Sequence, residues 1–248
     1  AIREIESLVV EAPDSPRAGE ELAMAYVGAK RLPDAERVVT TWINRSAEEV
    51  DPRWLFLRAV IHIDNGQAER AIGDAQQAVQ TSGYSPEGVS KILDIYQRLG
   101  RFAEGARYYE RHANNFKTNA RLVSRYALML ARAGQVPDAI GQFRRAMNLA
   151  MEESIASVRT VHQDVHSAMS MDEAITRFNV SPDDSTLGRA NDRILFRLFQ
   201  TAGRFPEAVS KIEQAIATAR DPQERAGLLQ EQGEMYQTAG DYAAARRA

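Results

Sequence analysis

Residues 99–113 read LGRFAEGARYYERHA, and residues 133–147 read AGQVPDAIGQFRRAM. Each sets a glycine before a bulky residue, then an acidic step into a small residue. The same shape returns at 202–216, AGRFPEAVSKIEQAI, and opens again at 239–248, AGDYAAARRA. Two looser copies stand at 29–43, AKRLPDAERVVTTWI, and 65–79, NGQAERAIGDAQQAV. A glycine after an apolar-periodic segment permits the left-handed backbone that ends a helix. Each stretch therefore reads as a turn between two helices.

The small residue just inside the second helix measures the period. It is Ala1, Ala35, Ala71, Gly105, Ala139, Ala174, Ala208 and Ala245, at intervals of 34, 36, 34, 34, 35, 34 and 37. Seven such intervals in succession mark an internal repeat. A two-helix unit of this length cannot bury its own apolar face, so its neighbours must stack on it.

Composition agrees. Ala, Arg, Glu, Gln and Leu dominate, and these side chains lose little rotamer freedom in a helix. No alternating β-branched run bounded by turns suggests a sheet. Hydrophobic residues make up 44%, enough for a sizeable core. Cysteine is absent, which excludes disulfides and thiolate metal sites. The formal net charge of −3 argues against broad attraction to nucleic acid or membrane surfaces. No apolar run reaches bilayer length, and the opening AIREIESLVVEAPDS has no signal-peptide character. None of this chooses between cytoplasm and periplasm.

On these residues the chain resembles the tetratricopeptide repeat family. The first-helix small residue of that pattern falls on Ala23, Ala59, Ala127 and Gly233, and the later aromatic on Tyr26, Tyr96, Phe199 and Tyr236. The turn glycine falls on Gly66, Gly100, Gly134, Gly203 and Gly240. The second-helix aromatic falls on Tyr109, Phe143 and Phe178, followed by Ala78, Ala146 and Ala215. Closing prolines are Pro13, Pro52, Pro86 and Pro222. The resemblance implies an all-α fold, an α-solenoid forming a right-handed superhelix of stacked helix–turn–helix repeats. Small residues let paired helices approach, aromatics fill the wedge between repeats, and proline blocks continuation of a helix.

The expected organisation is a second helix of a truncated repeat at 1–15 and four repeats over 16–153. A degenerate repeat with a loop follows at 154–188, then a repeat at 189–225 and a truncated repeat at 226–248. Ala1, Ile5, Leu8 and Pro13 fit a second helix without its partner, and Tyr242–Ala248 breaks off inside another, so the chain reads as part of a longer array. The weak repeat lacks a turn glycine and has Met169 in its place. Pro182 is expected to cut its second helix short, and 179–191, NVSPDDSTLGRAN, reads as a loop.

Little chemistry presents itself. His162 and His166 stand four apart with Asp164 between them, a spacing that could hold zinc. The residue after the first histidine is Gln163 where the metalloprotease motif needs Glu. His162 also occupies the first-helix small-residue slot and reads as core, as does His62 in an aromatic slot. No P-loop, GxGxxG or GxSxG motif occurs, and Asp183–Asp184 reads as a solvated loop. No enzyme activity, metal or cofactor is expected.

The resemblance implies a concave groove lined by the first helix of each repeat. Register places Met24, Val27, Phe56, Val60 and Ile63 there in the N-terminal part, an apolar patch. Farther on it places Arg98, Arg121, Leu128, Arg132, Arg159, Arg193 and Arg197, with Asp94, Ser124, Gln163, His166 and Gln230 among them. Arginine forks recognise carboxylates by paired hydrogen bonds. The expected partner is thus a protein or peptide with acidic residues and an apolar anchor. The Lys/Asn carboxylate clamp of chaperone-tail binders is missing, since its places hold Glu20, Met24, Phe56, Leu57 and Val60. A scaffold is the leading expectation. A docking or regulatory arm of an enzyme whose catalytic domain lies elsewhere, and a self-associating structural array, are the alternatives.

Overall fold

The computed structural model describes residues 2–45, 50–180, 187–219 and 222–240. Ala1, Ala245, Ser181, Pro182 and the Asp183–Asp184 pair lie outside them. The described residues form α-helices joined by short turns, with one 3₁₀ turn at Ala113–Asn115. They divide into two compact units, Ala1–Glu110 and Arg111–Ala248.

The first unit holds α1 (Ile2–Glu11), α2 (Pro16–Gly28), α3 (Leu32–Arg45), α4 (Pro52–Asp64), α5 (Ala68–Thr81), α6 (Pro86–Arg98) and most of α7 (Phe102–His112). Prolines begin helices here. Pro16, Pro52 and Pro86 stand at the first helical positions, where a missing N–H costs nothing. Ser15, Asp51 and Ser85 precede them, and their side chains accept from Ala18 N, Arg53 N and Gly88 N respectively. The α4–α5 turn places Gly66 at φ 71°, with Gln67 N donating to His62 O at 2.8 Å. The same closure joins α2 to α3, where Lys30 at φ 60° takes the glycine's place and Arg31 N donates to Tyr26 O at 2.9 Å.

The core of this unit is built from the period. Ala23, Ala35, Ala59, Ala71, Ala75 and Ala78 are fully buried at 0% exposure. Between them Trp42 and Trp54 stack at 5.2 Å with planes 6° apart. A Cβ on Gly19 would lie 2.1 Å from Trp42 Nε1, so only glycine fits beneath that ring. His62 is a core histidine, with Nε2 at 3.3 Å from Asp74, whose carboxylate accepts two bonds from Arg58 at 2.8 and 2.7 Å.

The second unit holds α8 (Ala120–Arg132), α9 (Val136–Glu153), α10 (Ile155–Ala168), α11 (Met171–Phe178), α12 (Gly188–Thr201), α13 (Phe205–Thr218) and α14 (Pro222–Thr238). Ala139, Ala174 and Ala208 are again buried, as are Phe143 and Phe178, whose rings lie 6.4 Å apart. The 154–188 stretch departs from its neighbours at the turn. Met169 is extended, at φ −151° and ψ 166°, and Ser170 caps α11 through its side chain. α11 is only 8 residues long.

Two expectations are corrected here. The loop predicted over 179–191 ends sooner, because Gly188–Asn191 are the first turn of α12. The reason is Asn191. Its amide donates to Phe178 O at 2.9 Å and accepts from Arg144 Nε at 2.8 Å, so a turn-forming residue serves as a buried polar bridge. Leu128 does not line a surface. α8 buries nearly every face, with Leu122, Val123 and Ala127 through Ala131 all buried, and Leu128 is 1% exposed.

Candidate functional site

Three of the first helices of the second unit, α10, α12 and α14, carry the most functional geometry. On α12, Arg189, Arg193 and Arg197 recur every four residues and so share one face. That face fronts a cavity of about 670 Å³. Arg159 of α10 and these three arginines line it, together with Glu231 and Glu234 of α14 and Glu152 and Glu153 at the end of α9. Met151, Ile155, Val158 and Leu228 supply its apolar lining. Ile155 is 65% exposed, unusual for so apolar a side chain.

The cationic and acidic groups are not evenly free. Arg193 donates to Glu231 Oε1, and the Arg197 guanidinium stands 3.2 Å from Oε2 of the same carboxylate. Arg197 also donates to Gln200 at 2.9 Å. Glu153 accepts from Ala120 N at 3.3 Å and so closes the start of α8. Glu234 accepts from Gln230 at 3.1 Å. Arg159 is exposed and has no hydrogen bond or ion pair among the described residues. His162, one turn along α10, is 8% exposed, and neither of its ring nitrogens finds a hydrogen-bond partner among the described residues. Burial, with Arg197 and Arg193 nearby, holds its imidazole well below the usual range. His166 is exposed, so the two histidines do not share an environment. Asp164 between them is 3% exposed and accepts from Ser124 Oγ at 2.7 Å.

The expected arginines thus separate. Arg159, Arg193 and Arg197 come together around one cavity. Arg121 and Arg132 of α8 are exposed and do not line it. In the first unit Arg98 is bound to Asp64 at 3.2 Å, one repeat earlier. The apolar residues of that unit form a shallower surface. Met24 is 51% exposed, whereas Val27, Phe56, Val60 and Ile63 are half-buried. Val27 and Phe56 pack on the core formed by α2, α3 and α4, and the Lys91 ammonium lies 5.4 Å from the Phe56 ring centre. Glu231 is the residue that sequence reasoning missed. Its signal was an opposite charge roughly one repeat beyond Arg193 and Arg197.

Stacked helix pairs with buried small residues where the described helices cross define a helical-repeat protein. The family model for the tetratricopeptide repeat matches residues 21–86 and 91–150, just over half of the chain. The chain belongs to the tetratricopeptide repeat family. Among solved structures it is similar to a tetratricopeptide repeat protein from Parabacteroides merdae, at 14% identity and a TM-score of 0.46, covering 98% of this chain and 90% of that one. It is also similar to a chain of the APC/C hetero-tetramer Cut9–Hcn1, at 12% identity and a TM-score of 0.47, over 90% of this chain and 44% of that one. Yeast Tom70 matches at 13% identity and a TM-score of 0.40, over 99% of this chain and 61% of Tom70. This chain therefore spans less than two thirds of the last two. No curated protein matches it significantly. Among the described residues, no helix is long and apolar enough to cross a membrane.

Proposed function

We propose that this chain is a protein-interaction scaffold whose second unit receives a peptide segment in the α10–α12–α14 cavity. The observation that carries the proposal is the neighbourhood of Arg159. An exposed guanidinium with no hydrogen bond or ion pair among the described residues stands one helical turn from Ile155, which is 65% exposed. A charged fork beside an apolar contact suits a segment with an acidic side chain next to an aliphatic anchor. The attraction is local. Four arginines and four glutamates line the cavity, and the arginines sit on α10 and α12 while the glutamates sit on α9 and α14. A partner's carboxylate would lie against α10 and α12, and its polar or basic groups would face the glutamates. In the first unit, Met24, Phe56, Val60 and Ile63 offer a separate apolar contact, and Arg121 of the second unit a further cation. The role is binding, with no catalysis assigned to this chain.

An array of synthetic peptides differing in acidic and aliphatic content tests the reading. Bound sequences are expected to be enriched in Glu or Asp beside Leu or Ile, and Arg159→Glu should weaken them about tenfold, the scale of one charge-assisted pair. A bound set without acidic enrichment, or one indifferent to Arg159→Glu, would overturn it.

A further inference from the structure

Glu231 is a carboxylate already seated where the cavity would receive one. It spans the two arginines of α12, taking a hydrogen bond from Arg193 on Oε1 and facing Arg197 at 3.2 Å on Oε2. The site is largely closed to water: side-chain exposure is 11% for Arg193, 12% for Glu231 and 29% for Arg197. Yet the seat is imperfect. Glu231 Oε2 is buried and accepts no hydrogen bond among the described residues, because the Arg197 contact is an ion pair without hydrogen-bond geometry. A buried acceptor left without a hydrogen bond gives back part of what the pair contributes. All three side chains line the cavity. Glutamate reaches the fork through a flexible stem, so it can swing out by rotamer changes while α14 stays packed through Leu228 and Met235, which are 4% and 0% exposed.

We infer that Glu231 is a resident competitor for the Arg193–Arg197 fork, and that a partner carboxylate enters the cavity by exchanging with it. The inference rests on the reading of this cavity as a peptide site. Exchange conserves charge at the fork, one carboxylate leaving for solvent as another arrives, so neither guanidinium is stranded in a half-buried place. The intramolecular carboxylate has the higher effective concentration and wins against a free one. A partner prevails only when its aliphatic anchor on the exposed Ile155 adds binding that Glu231 cannot match. The device therefore rejects isolated acidic groups and admits acidic side chains joined to an apolar neighbour.

The test is fluorescence anisotropy on the full chain with a fluorescein-labelled hexapeptide of alternating Leu and Glu, and its Leu/Gln counterpart as control. Glu231→Gln is expected to bind the acidic peptide about tenfold more tightly than the unmodified protein, since the open fork is no longer a minor state. The Gln peptide should show no such gain. Glu231→Asp keeps the charge on a shorter stem and should give a smaller gain, which keeps the test decisive if the Gln variant does not fold. Equal or weaker binding by both Glu231 variants, with binding still weakened in Arg159→Glu, overturns the exchange and leaves the cavity as a peptide site. Absence of saturable binding in every variant overturns the peptide site, and the exchange with it.

Discussion

The first-helix faces of the two units occupy the same places in the repeat and have different fates. In the first unit Val27 and Phe56 turn back onto the core, and Arg98 is tied to Asp64. In the second, Arg193 and Arg197 gather on Glu231 at the wall of a cavity, while Arg159 has no ion pair or hydrogen bond among the described residues. Repeat position decides which way a side chain points. The residue opposite it on the next first helix decides whether it is available.

The largest expected effects separate the two units by their cores. Phe143→Ala removes a ring with 0% exposure from the second unit, and Trp54→Ala breaks the tryptophan stack of the first. Each should cost about 3–5 kcal/mol. Both tryptophans of the chain lie in the first unit, so tryptophan fluorescence reports on that unit alone. In a repeat array stability is summed over neighbours. In urea, Phe143→Ala should therefore lower the midpoint seen by circular dichroism more than the midpoint seen by fluorescence. Equal shifts would mean the chain unfolds as one cooperative body and that the contrast between the units stops at their surfaces.

Acid should widen the difference. The histidines held below their usual range by burial, His112, His162 and His166, all lie in the second unit. His162 is the most deeply buried of them, with Arg197 and Arg193 adding to the depression. Its folded pKa lies below the unfolded value of 6.5. As pH falls through 6.5 the unfolded chain takes up a proton that the folded chain refuses, so stability present at neutral pH is lost. The limiting slope is about 1.4 kcal/mol per pH unit for one proton. Urea midpoints at pH 7.5, 6 and 5 should fall by circular dichroism, and His162→Gln should flatten the fall. A profile unchanged by that substitution would remove His162 as the cause.

How much of this could be read in advance depended on which residues carried the information. The period was legible because its alanines are forced: Ala35, Ala71, Ala139 and Ala208 sit at helix crossings with 0% exposure, where any larger side chain would push the helices apart. His62 and His162 were legible as core for the same reason. Leu128 was misplaced because register assigns one inner face, and α8 buries almost all of its faces. Asn191 looked like a loop residue because its type favours turns, whereas its partners are Phe178 O and Arg144, 13 and 47 residues away. Glu231 lies 38 residues beyond Arg193 and 34 beyond Arg197, one repeat on, but the pairing crosses helices that only stacking brings together.

The turns offer a comparison about one step smaller. Gly203 closes α12 at φ 71°, and an alanine there should cost about 1–2 kcal/mol for a left-handed residue bearing a Cβ. Lys30 closes α2 at φ 60° in the same role. Lys30→Gly should therefore leave stability unchanged or raise it by up to about 1 kcal/mol, because relief of strain is set against greater freedom of the unfolded chain. The thermal midpoint should fall in Gly203→Ala and hold or rise in Lys30→Gly. A loss in Lys30→Gly as large as in Gly203→Ala would show that the lysine side chain contributes more than its backbone costs.

The smallest effect concerns the two bridges themselves. Asp64–Arg98 spans one repeat, with side-chain exposures of 23% and 44%, whereas Arg193–Glu231 spans a comparable step at 11% and 12%. An exposed pair exchanges good hydration for a screened attraction and contributes roughly 0.2–1 kcal/mol. Asp64→Asn should thus lower stability by less than about 1 kcal/mol, and 0.5 M salt should erase most of the difference, because the Debye length falls well below its value of about 10 Å at 0.1 M. The buried bridge should respond to salt far less. A double-mutant cycle on each pair at two salt concentrations measures this directly. If Asp64–Arg98 proved as strong and as salt-resistant as Arg193–Glu231, burial would not be what distinguishes them, and Glu231 would be one more structural tie between repeats. If only the second-unit bridge resists salt, its carboxylate occupies a seat that water does not compete for. That is the condition under which a partner's carboxylate can replace it.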